Sequence, residues 1–139
     1  MEMKKTEEFT RVQRDSDGKY NYIDANGNYL LNEWFYWVGT FNDGFAIVGR
    51  ENHKYNHIDT KGKLLSNEWF KWVDYFKDGF AVVKRAYEKY NYIDKNGKLL
   101  SNEWFKSVDD FNNGFAIVQR TNGERAKIDK TGKLIKILQ

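Results

Sequence analysis

The chain has 139 residues, contains no cysteine and carries a net charge of +3. The lack of cysteine excludes a disulfide framework, a thiol nucleophile and a cysteine-ligated zinc site. The 23 basic and 20 acidic residues are mixed along the whole sequence, which is typical of a solvated surface and argues against the basic stripe of a nucleic-acid-binding protein.

The N-terminal segment, Met1–Phe9, is charged and lacks the apolar region of a secretory signal. No stretch of the sequence approaches the roughly 20 apolar residues that span a bilayer. We therefore expect a soluble protein without a signal peptide or transmembrane segment. It should consist of a short tail, residues 1–8, and a single β-repeat domain, residues 9–139.

Most of the domain consists of three copies of a 35-residue repeat. Residues 16–50, 51–85 and 86–120 align without a gap. The alignment brings three sets of residues into register: Tyr20, Tyr55 and Tyr90; Ile23, Ile58 and Ile93; Trp34, Trp69 and Trp104. Such self-similarity is typical of proteins that stack one supersecondary unit, so it indicates the fold class.

Each repeat predicts three short strands. In the segment 80–101, β-branched and aromatic residues at 80–85 predict a first strand, and the alternating residues 89–94 predict a second. Asp94 and Gly97 then favour a hairpin turn, because the carboxylate can accept backbone N–H groups and glycine adopts a positive φ. Residues 98–100 are expected to form the third strand. Partial copies at both ends give four units: residues 9–31, 45–66, 80–101 and 115–135.

In the last three units, the first strand is apolar on both faces. Phe80 and Val82 point to one side of the strand, and Ala81 and Val83 point to the other. A strand that is covered on both sides lies between layers of structure. We therefore expect this strand to lie between layers, as in a solenoid or a propeller, and not on a sheet with one exposed face.

A connector rich in aromatic residues joins each unit to the next, as in Ser101–Phe111. Asn102 can cap a single helical turn that is anchored by Trp104, Phe105, Val108 and Phe111. A strand over residues 104–108 is the alternative interpretation of the same segment. The connector is thus predicted to form a helical turn, and a strand remains the alternative.

These motifs resemble those of the tryptophan-glycine (WG) β-repeat family, which is common in bacteria. The matching segments are Tyr90–Asp94, Gly97–Lys98 and Gly79–Val83. Asparagine stands at position 91, where the family has glycine, and tyrosine at position 90, where it has tryptophan. The resemblance implies an all-β repeat protein with a non-catalytic role, because the family has no shared catalytic motif.

The predicted fold is therefore an all-β array of four units in an open, solenoid-like stack. The alternative is a small ring that resembles a four-bladed propeller, since four units would permit closure. In either form, large residues at repeat spacing should fill the space between units. We expect the following residues to form this core: Trp34, Trp69, Trp104, Phe45, Phe80, Phe115, Ile23, Ile58, Ile93 and Ile128.

The second tryptophan of each connector is the better candidate for ligand binding. Trp37 and Trp72 are replaced by Ser107 in the last copy, and a core position would tolerate that change poorly. Together with Tyr22 and Tyr92, these tryptophans could present flat aromatic faces to a ligand.

The repeated polar residues favour structural roles. Glu33, Glu68 and Glu103 should cap backbone groups or form ion pairs with Lys71 or Lys106, because catalysis would require three equivalent active sites. The Asp-x-x-Gly turns lack the ligand pattern of a calcium loop. His53 and His57 lie four residues apart in a strand context, where we expect neutral imidazoles and no metal site.

The sequence thus predicts a non-catalytic module for protein–protein interaction or scaffolding, whose partner is an unidentified protein. The alternative is a carbohydrate-binding module that uses exposed aromatic side chains to hold a glycan. An enzyme would require a polar cluster outside the repeat pattern, and the sequence shows none. No cofactor, nucleic acid or membrane is expected as a partner.

Overall fold

The computed structural model describes residues 9–138, and the predicted tail, residues 1–8, and Gln139 lie outside the described residues. All regular structure in residues 9–138 is β-strand, and these residues contain no helix that could cross a membrane. The strands are β1 (Thr10–Gln13), β2 (Tyr20–Ile23), β3 (Trp37–Val38), β4 (Phe45–Gly49), β5 (Tyr55–Asp59), β6 (Trp72–Val73), β7 (Phe80–Ala86), β8 (Lys89–Asp94), β9 (Ser107–Val108), β10 (Phe115–Gln119), β11 (Arg125–Asp129) and β12 (Leu134–Ile137). The all-β prediction is confirmed.

The strands form four antiparallel sheets, one for each predicted unit. Their strand orders are β1-β2, β3-β4-β5, β6-β7-β8 and β12-β11-β10-β9. The register repeats with the sequence. In the last three sheets the alanine of the first strand faces the isoleucine of the second, as in Ala46 opposite Ile58 and Ala81 opposite Ile93, and in the first sheet Thr10 takes the place of the alanine. The sequence repeat is therefore also a structural repeat.

The predicted hairpin turn is present in every unit. In the second unit, the Asp59 carboxylate accepts the backbone N–H groups of Lys61 and Lys63, each at 2.9 Å. Gly62 follows at a φ of 84°, in the left-handed region that glycine adopts without strain. Aspartate and glycine are the two residues common to all four turns because they meet these two backbone requirements.

Each central sheet lies between two apolar clusters, as the two-faced first strand predicts. Ala46 and Val48 pack with Tyr22 of the first unit and Phe35 of the first connector. Ile47, on the other face of β4, packs with Phe70 of the second connector and with residues of the third unit. The order along the array is thus sheet, cluster, sheet. Within residues 9–138, no hydrogen bond, ion pair or apolar cluster joins the first sheet to the last, so the array is open.

The helical prediction for the connector is wrong, and the alternative strand is found. Ser107–Val108 forms β9, which pairs with β10, and Trp37–Val38 and Trp72–Val73 do the same in the preceding sheets. Upstream of β9, Phe105 and Tyr90 exchange two backbone hydrogen bonds of 2.8 Å. The connector prefers a strand because its backbone finds two extended partners in succession.

The predicted third strand is reduced to a single bridge in the inner units, such as Leu99 opposite Ile93. A full third strand forms only in the last unit, as β12. The leucine pair after each of the first three turns instead contacts the following repeat. For example, the carbonyl of Leu65 lies against the turn at Gly97. This contact leaves the inner segments too short for a full strand.

The residues predicted to form the core differ in burial. Ile58, Ile93 and Ile128 are fully buried, whereas Ile23, Phe45 and Phe80 are partly exposed. Phe115 is 37% exposed, so it is not a core residue, because no fifth sheet among residues 9–138 covers its face. The residue after the first tryptophan of each connector is buried instead, and these residues are Phe35, Phe70 and Phe105.

Candidate functional site: an aromatic groove between two repeats

A groove of about 480 Å³ lies on the surface between the second and third sheets. Aromatic side chains dominate its lining, and we call it the aromatic groove. The lining residues are Tyr36, Trp37, Ile47, His53, Tyr55, Trp72, Val73, Asp74 and Tyr75. A concave surface with so many aromatic side chains is the usual form of a recognition site.

Two short strands place the tryptophans on this surface. In β3, Val38 is fully buried and Trp37 is 39% exposed, because successive residues of a strand point to opposite faces. In β6, Trp72 is 43% exposed by the same alternation. The Trp37 ring lies over Gly39 and meets the ring of Tyr55 edge-on at 6.5 Å. The two indoles are thus held at the surface by the sheets that carry them.

The equivalent groove one repeat later has a different chemistry. It measures about 710 Å³, lies between the third and fourth sheets, and carries six charged residues, so we call it the mixed-charge groove. Its lining residues are Lys71, Trp72, Asp74, Val82, Lys84, Tyr87, Glu88, Tyr90, Lys106, Ser107, Val108 and Asp110. Trp72 and Asp74 line both grooves.

Ion pairs neutralise some of the charged side chains that line the mixed-charge groove. The Lys77 ammonium lies 2.9 Å from the Asp110 carboxylate, and this hydrogen bond raises the pKa of Lys77. Lys106 lies 3.9 Å from Glu88. Within residues 9–138, Lys71 and Lys84 form no ion pair.

The structure separates the four predicted ligand-binding residues. Trp37 and Trp72 both line the aromatic groove, but Tyr22 and Tyr92 are each only 1% exposed. Their hydroxyls donate hydrogen bonds to the backbone carbonyls of Gly39 and Asp109, and burial raises the pKa of both phenols. A ligand-binding role for the two tyrosines is therefore incorrect, because their rings fill the space between sheets.

Sequence reasoning missed the other aromatic residues of the groove. Tyr36 and Tyr75 are 52% and 41% exposed, and both line the aromatic groove. Neither position is constant among the repeats, since Lys71 replaces Tyr36 and Asp110 replaces Tyr75 one repeat later. Variation at a fixed position of the repeat was the signal that could have identified them.

The first tryptophan of each connector is covered by an arginine. The Arg50 guanidinium lies 4.0 Å from the ring centre of Trp69, and Arg85 lies 3.9 Å from that of Trp104. Trp69 also packs against Phe35 of the preceding connector at 5.8 Å. These tryptophans therefore belong to the contacts between repeats.

The same arginines pair with the repeated glutamates. Arg50 donates two hydrogen bonds, of 3.0 and 2.9 Å, to the Glu33 carboxylate. Arg85 contacts Glu68 in the same way, at 2.7 and 2.8 Å. The predicted ion pairs with Lys71 or Lys106 are therefore wrong. Arginine takes this position because its planar group can stack on a ring and bind a carboxylate at the same time.

The two histidines lie in unlike surroundings. His53 is exposed at the rim of the aromatic groove, whereas His57 is buried where the other repeats have Tyr22 and Tyr92. The His57 Nε2 lies 2.7 Å from the carbonyl oxygen of Asp74, and burial lowers the pKa of the imidazole. Within residues 9–138, no group of three acidic, histidine or cysteine side chains could hold a metal ion.

Comparisons with solved structures give only distant resemblances. The computationally designed Ika8 protein is 15% identical with a TM-score of 0.46, and the match covers 98% of this chain and 47% of that one. The designed Ika4 protein is 17% identical with a TM-score of 0.47, covering 80% of this chain and 79% of that one. The WD40 β-propeller domain of Doa1 is 14% identical with a TM-score of 0.41, covering 93% and 49%. The chain thus spans about half the length of Ika8 and of the Doa1 domain.

No curated protein sequence matches the chain. The family model for the WG containing repeat matches residues 92–123. This segment runs from β8 through the third connector and β10, so it includes the parts of one repeat that build the sheet and its link to the next. Residues 92–123, about one repeat of this chain, are thus similar to the WG containing repeat.

Proposed function

We propose that this chain is a non-catalytic repeat module that binds a protein partner through the aromatic groove. The observation that supports the proposal is the exposure of Trp37 and Trp72 toward one concave surface between two sheets. Neighbouring repeats use the same backbone to bury Val38 and Val73, so the exposed indoles are not needed to fill the core.

The composition of the groove fits a protein-binding surface. Tryptophan and tyrosine contribute most to protein interfaces, because they offer large apolar areas with few rotatable bonds. The groove brings five exposed aromatic or histidine side chains together, which are Tyr36, Trp37, His53, Trp72 and Tyr75. The sheets hold their backbone in place before binding, which lowers the entropic cost of association.

Selection from a displayed library of random peptides tests this proposal. The wild-type chain should enrich peptides that the Trp72→Ala variant no longer retains. Tyr29→Ala is the matched control, because Tyr29 is 58% exposed but lies in the first hairpin, away from the groove. Enriched peptides that bind the Trp72→Ala variant equally well would contradict a binding site in this groove.

Carbohydrate binding is the alternative that the same aromatic surface supports, since sugar rings also stack on exposed indoles. A glycan array with the same two variants separates the two functions. Retention of a glycan that depends on Trp72, with no peptide enriched in the display experiment, would identify the ligand of the groove as a carbohydrate and contradict a protein partner.

A further inference from the structure

We propose that the aromatic groove and the mixed-charge groove act as one continuous site for an extended acidic peptide. An apolar or aromatic side chain of the peptide would occupy the aromatic groove, and a carboxylate would bind Lys71 and Lys84 in the mixed-charge groove. This inference rests on the proposed function, because it assigns the chemistry of the protein partner.

Continuity of the two grooves is the first argument. Trp72 and Asp74 line both of them, so the indole of Trp72 lies at their common boundary. A ligand that covers this ring can contact Trp37 on one side and Ser107 on the other. Ser107 occupies the tryptophan position of the last repeat, and its small side chain leaves the mixed-charge groove wide.

The change in chemistry between the grooves is the second argument. One repeat after the aromatic groove, Tyr36 is replaced by Lys71, and His53 is replaced by Glu88. The backbone is equivalent in both grooves, so the substituted side chains, which also include Ser107 and Asp110, determine what each groove can bind. A ligand that fits both must carry an apolar group beside a charged one.

The sign of the ligand's charge follows from the ion pairs. Asp110 is neutralised by Lys77 at 2.9 Å, and Glu88 lies 3.9 Å from Lys106. Lys71 and Lys84 have no carboxylate partner among the described residues, and Lys84 lies over the ring of Tyr90 at 5.3 Å. Among the described residues that line the mixed-charge groove, Asp74 has the one carboxylate without an ion pair, and it accepts the backbone N–H of Tyr75 at 2.7 Å. Two free ammonium groups therefore favour an anionic side chain.

The spacing of the ligand groups follows from the stacking of sheets. Packed sheets lie about 10 Å apart, and an extended chain advances about 3.3 Å per residue. Neighbouring grooves should therefore bind side chains about three residues apart. The matching peptides are Trp-x-x-Glu and its reverse, Glu-x-x-Trp.

Binding of labelled ten-residue peptides to the full chain, measured by fluorescence anisotropy, tests the inference. Each probe carries one Trp and one Glu three positions apart, in either order, in a glycine-serine background, and a matched probe has Gln in place of Glu. At least one Glu probe should bind about three- to tenfold more tightly than its Gln counterpart. The difference should disappear in the Lys71→Gln/Lys84→Gln double variant and decrease with added salt.

The control is the Lys61→Gln/Lys130→Gln double variant, which has the same net charge but alters two exposed hairpin turns. It should retain the preference for Glu. Equal affinity for Glu and Gln probes, with binding still dependent on Trp72, would overturn this inference and leave the proposed function intact. Failure of the wild-type chain to bind any probe would overturn it as well. Binding of a sulfated glycan through Lys71 and Lys84, without binding of peptides, would assign the lysines to a different ligand.

Discussion

Arg85 stacks on Trp104 at 3.9 Å while its guanidinium donates two hydrogen bonds to Glu68. The same arrangement recurs one repeat earlier, where Arg50 stacks on Trp69 and pairs with Glu33. Each arginine therefore links two successive connectors. A contact that repeats with the sequence holds neighbouring units in a fixed relation.

Arg85→Ala should lower the free energy of unfolding by about 1 kcal/mol, the combined contribution of an exposed cation–π contact and an exposed ion pair. Urea denaturation of the full chain measures this change. Arg85→Lys is the control, because it keeps the positive charge but loses the planar group. It should recover only part of the loss, and wild-type stability of Arg85→Ala would show that the stacked pair contributes nothing.

The hairpin glycines offer a direct test of stacking between repeats. Gly27 and Gly97 have nearly the same φ, 84° and 85°. A Cβ atom at position 27 would contact nothing within 4 Å, whereas one at position 97 would clash with the carbonyl oxygen of Leu65 in the preceding repeat.

Gly27→Ala should therefore cost about 1 kcal/mol for the left-handed backbone alone. Gly97→Ala should cost about 1–3 kcal/mol more, because the turn must move away from the neighbouring unit. Thermal or urea unfolding of both variants gives the difference. Equal destabilisation would contradict the close contact between the units.

His57 predicts a dependence of stability on pH. Its pKa is lowered in the folded chain by burial, so the unfolded chain binds a proton more readily. The stability from the neutral imidazole is complete above the unfolded pKa of about 6.5. It is lost as the pH falls below that value toward the lowered folded pKa.

His57→Tyr should remove this contribution, because Tyr22 and Tyr92 occupy the same position in other repeats and donate to equivalent carbonyls. Between pH 7.5 and 5.5, the wild type should lose more stability than His57→Tyr, as measured by urea denaturation. The control is His53→Asn, since His53 is exposed at a φ of 60°, which asparagine tolerates. If His53→Asn instead removed the pH dependence, the assignment to His57 would fail.

The two tryptophans of a connector should respond differently to truncation. Trp69 packs under Arg50 and against Phe35, so Trp69→Ala should lower the free energy of unfolding by about 2–3 kcal/mol. Trp72 is 43% exposed, so Trp72→Ala should cost less than about 1 kcal/mol. Urea unfolding of the two variants measures both values. A larger loss for Trp72→Ala would identify it as a core residue and remove it from the binding site.

The regular parts of the fold could be predicted because each rests on local chemistry. The Asp59 and Gly62 turn and the two-faced strand β4 follow from hydrogen-bonding groups, glycine geometry and alternation. The connector could not be predicted in the same way. Its strand depends on partners from other parts of the chain, as in the pairing of Phe105 with Tyr90, and local sequence favours a helical turn there.

The candidate site was predictable only in part. Trp37 and Trp72 stand out because serine occupies the equivalent position, 107, in the last copy of the repeat. Tyr22 and Tyr92 could not be distinguished from them, because burial of a tyrosine depends on whether its hydroxyl finds a carbonyl between sheets. The grooves themselves arise from the distance between neighbouring sheets, which no single repeat encodes.

The indole N–H signals of the five tryptophans provide the most direct test of the binding surface. Two-dimensional NMR of the full chain, assigned with Trp→Phe variants, would follow all five during titration with a peptide enriched on the wild-type chain. The signals of Trp37 and Trp72 should shift, while those of Trp34, Trp69 and Trp104 should not. Shifts confined to the latter three would place the binding surface elsewhere and contradict the account.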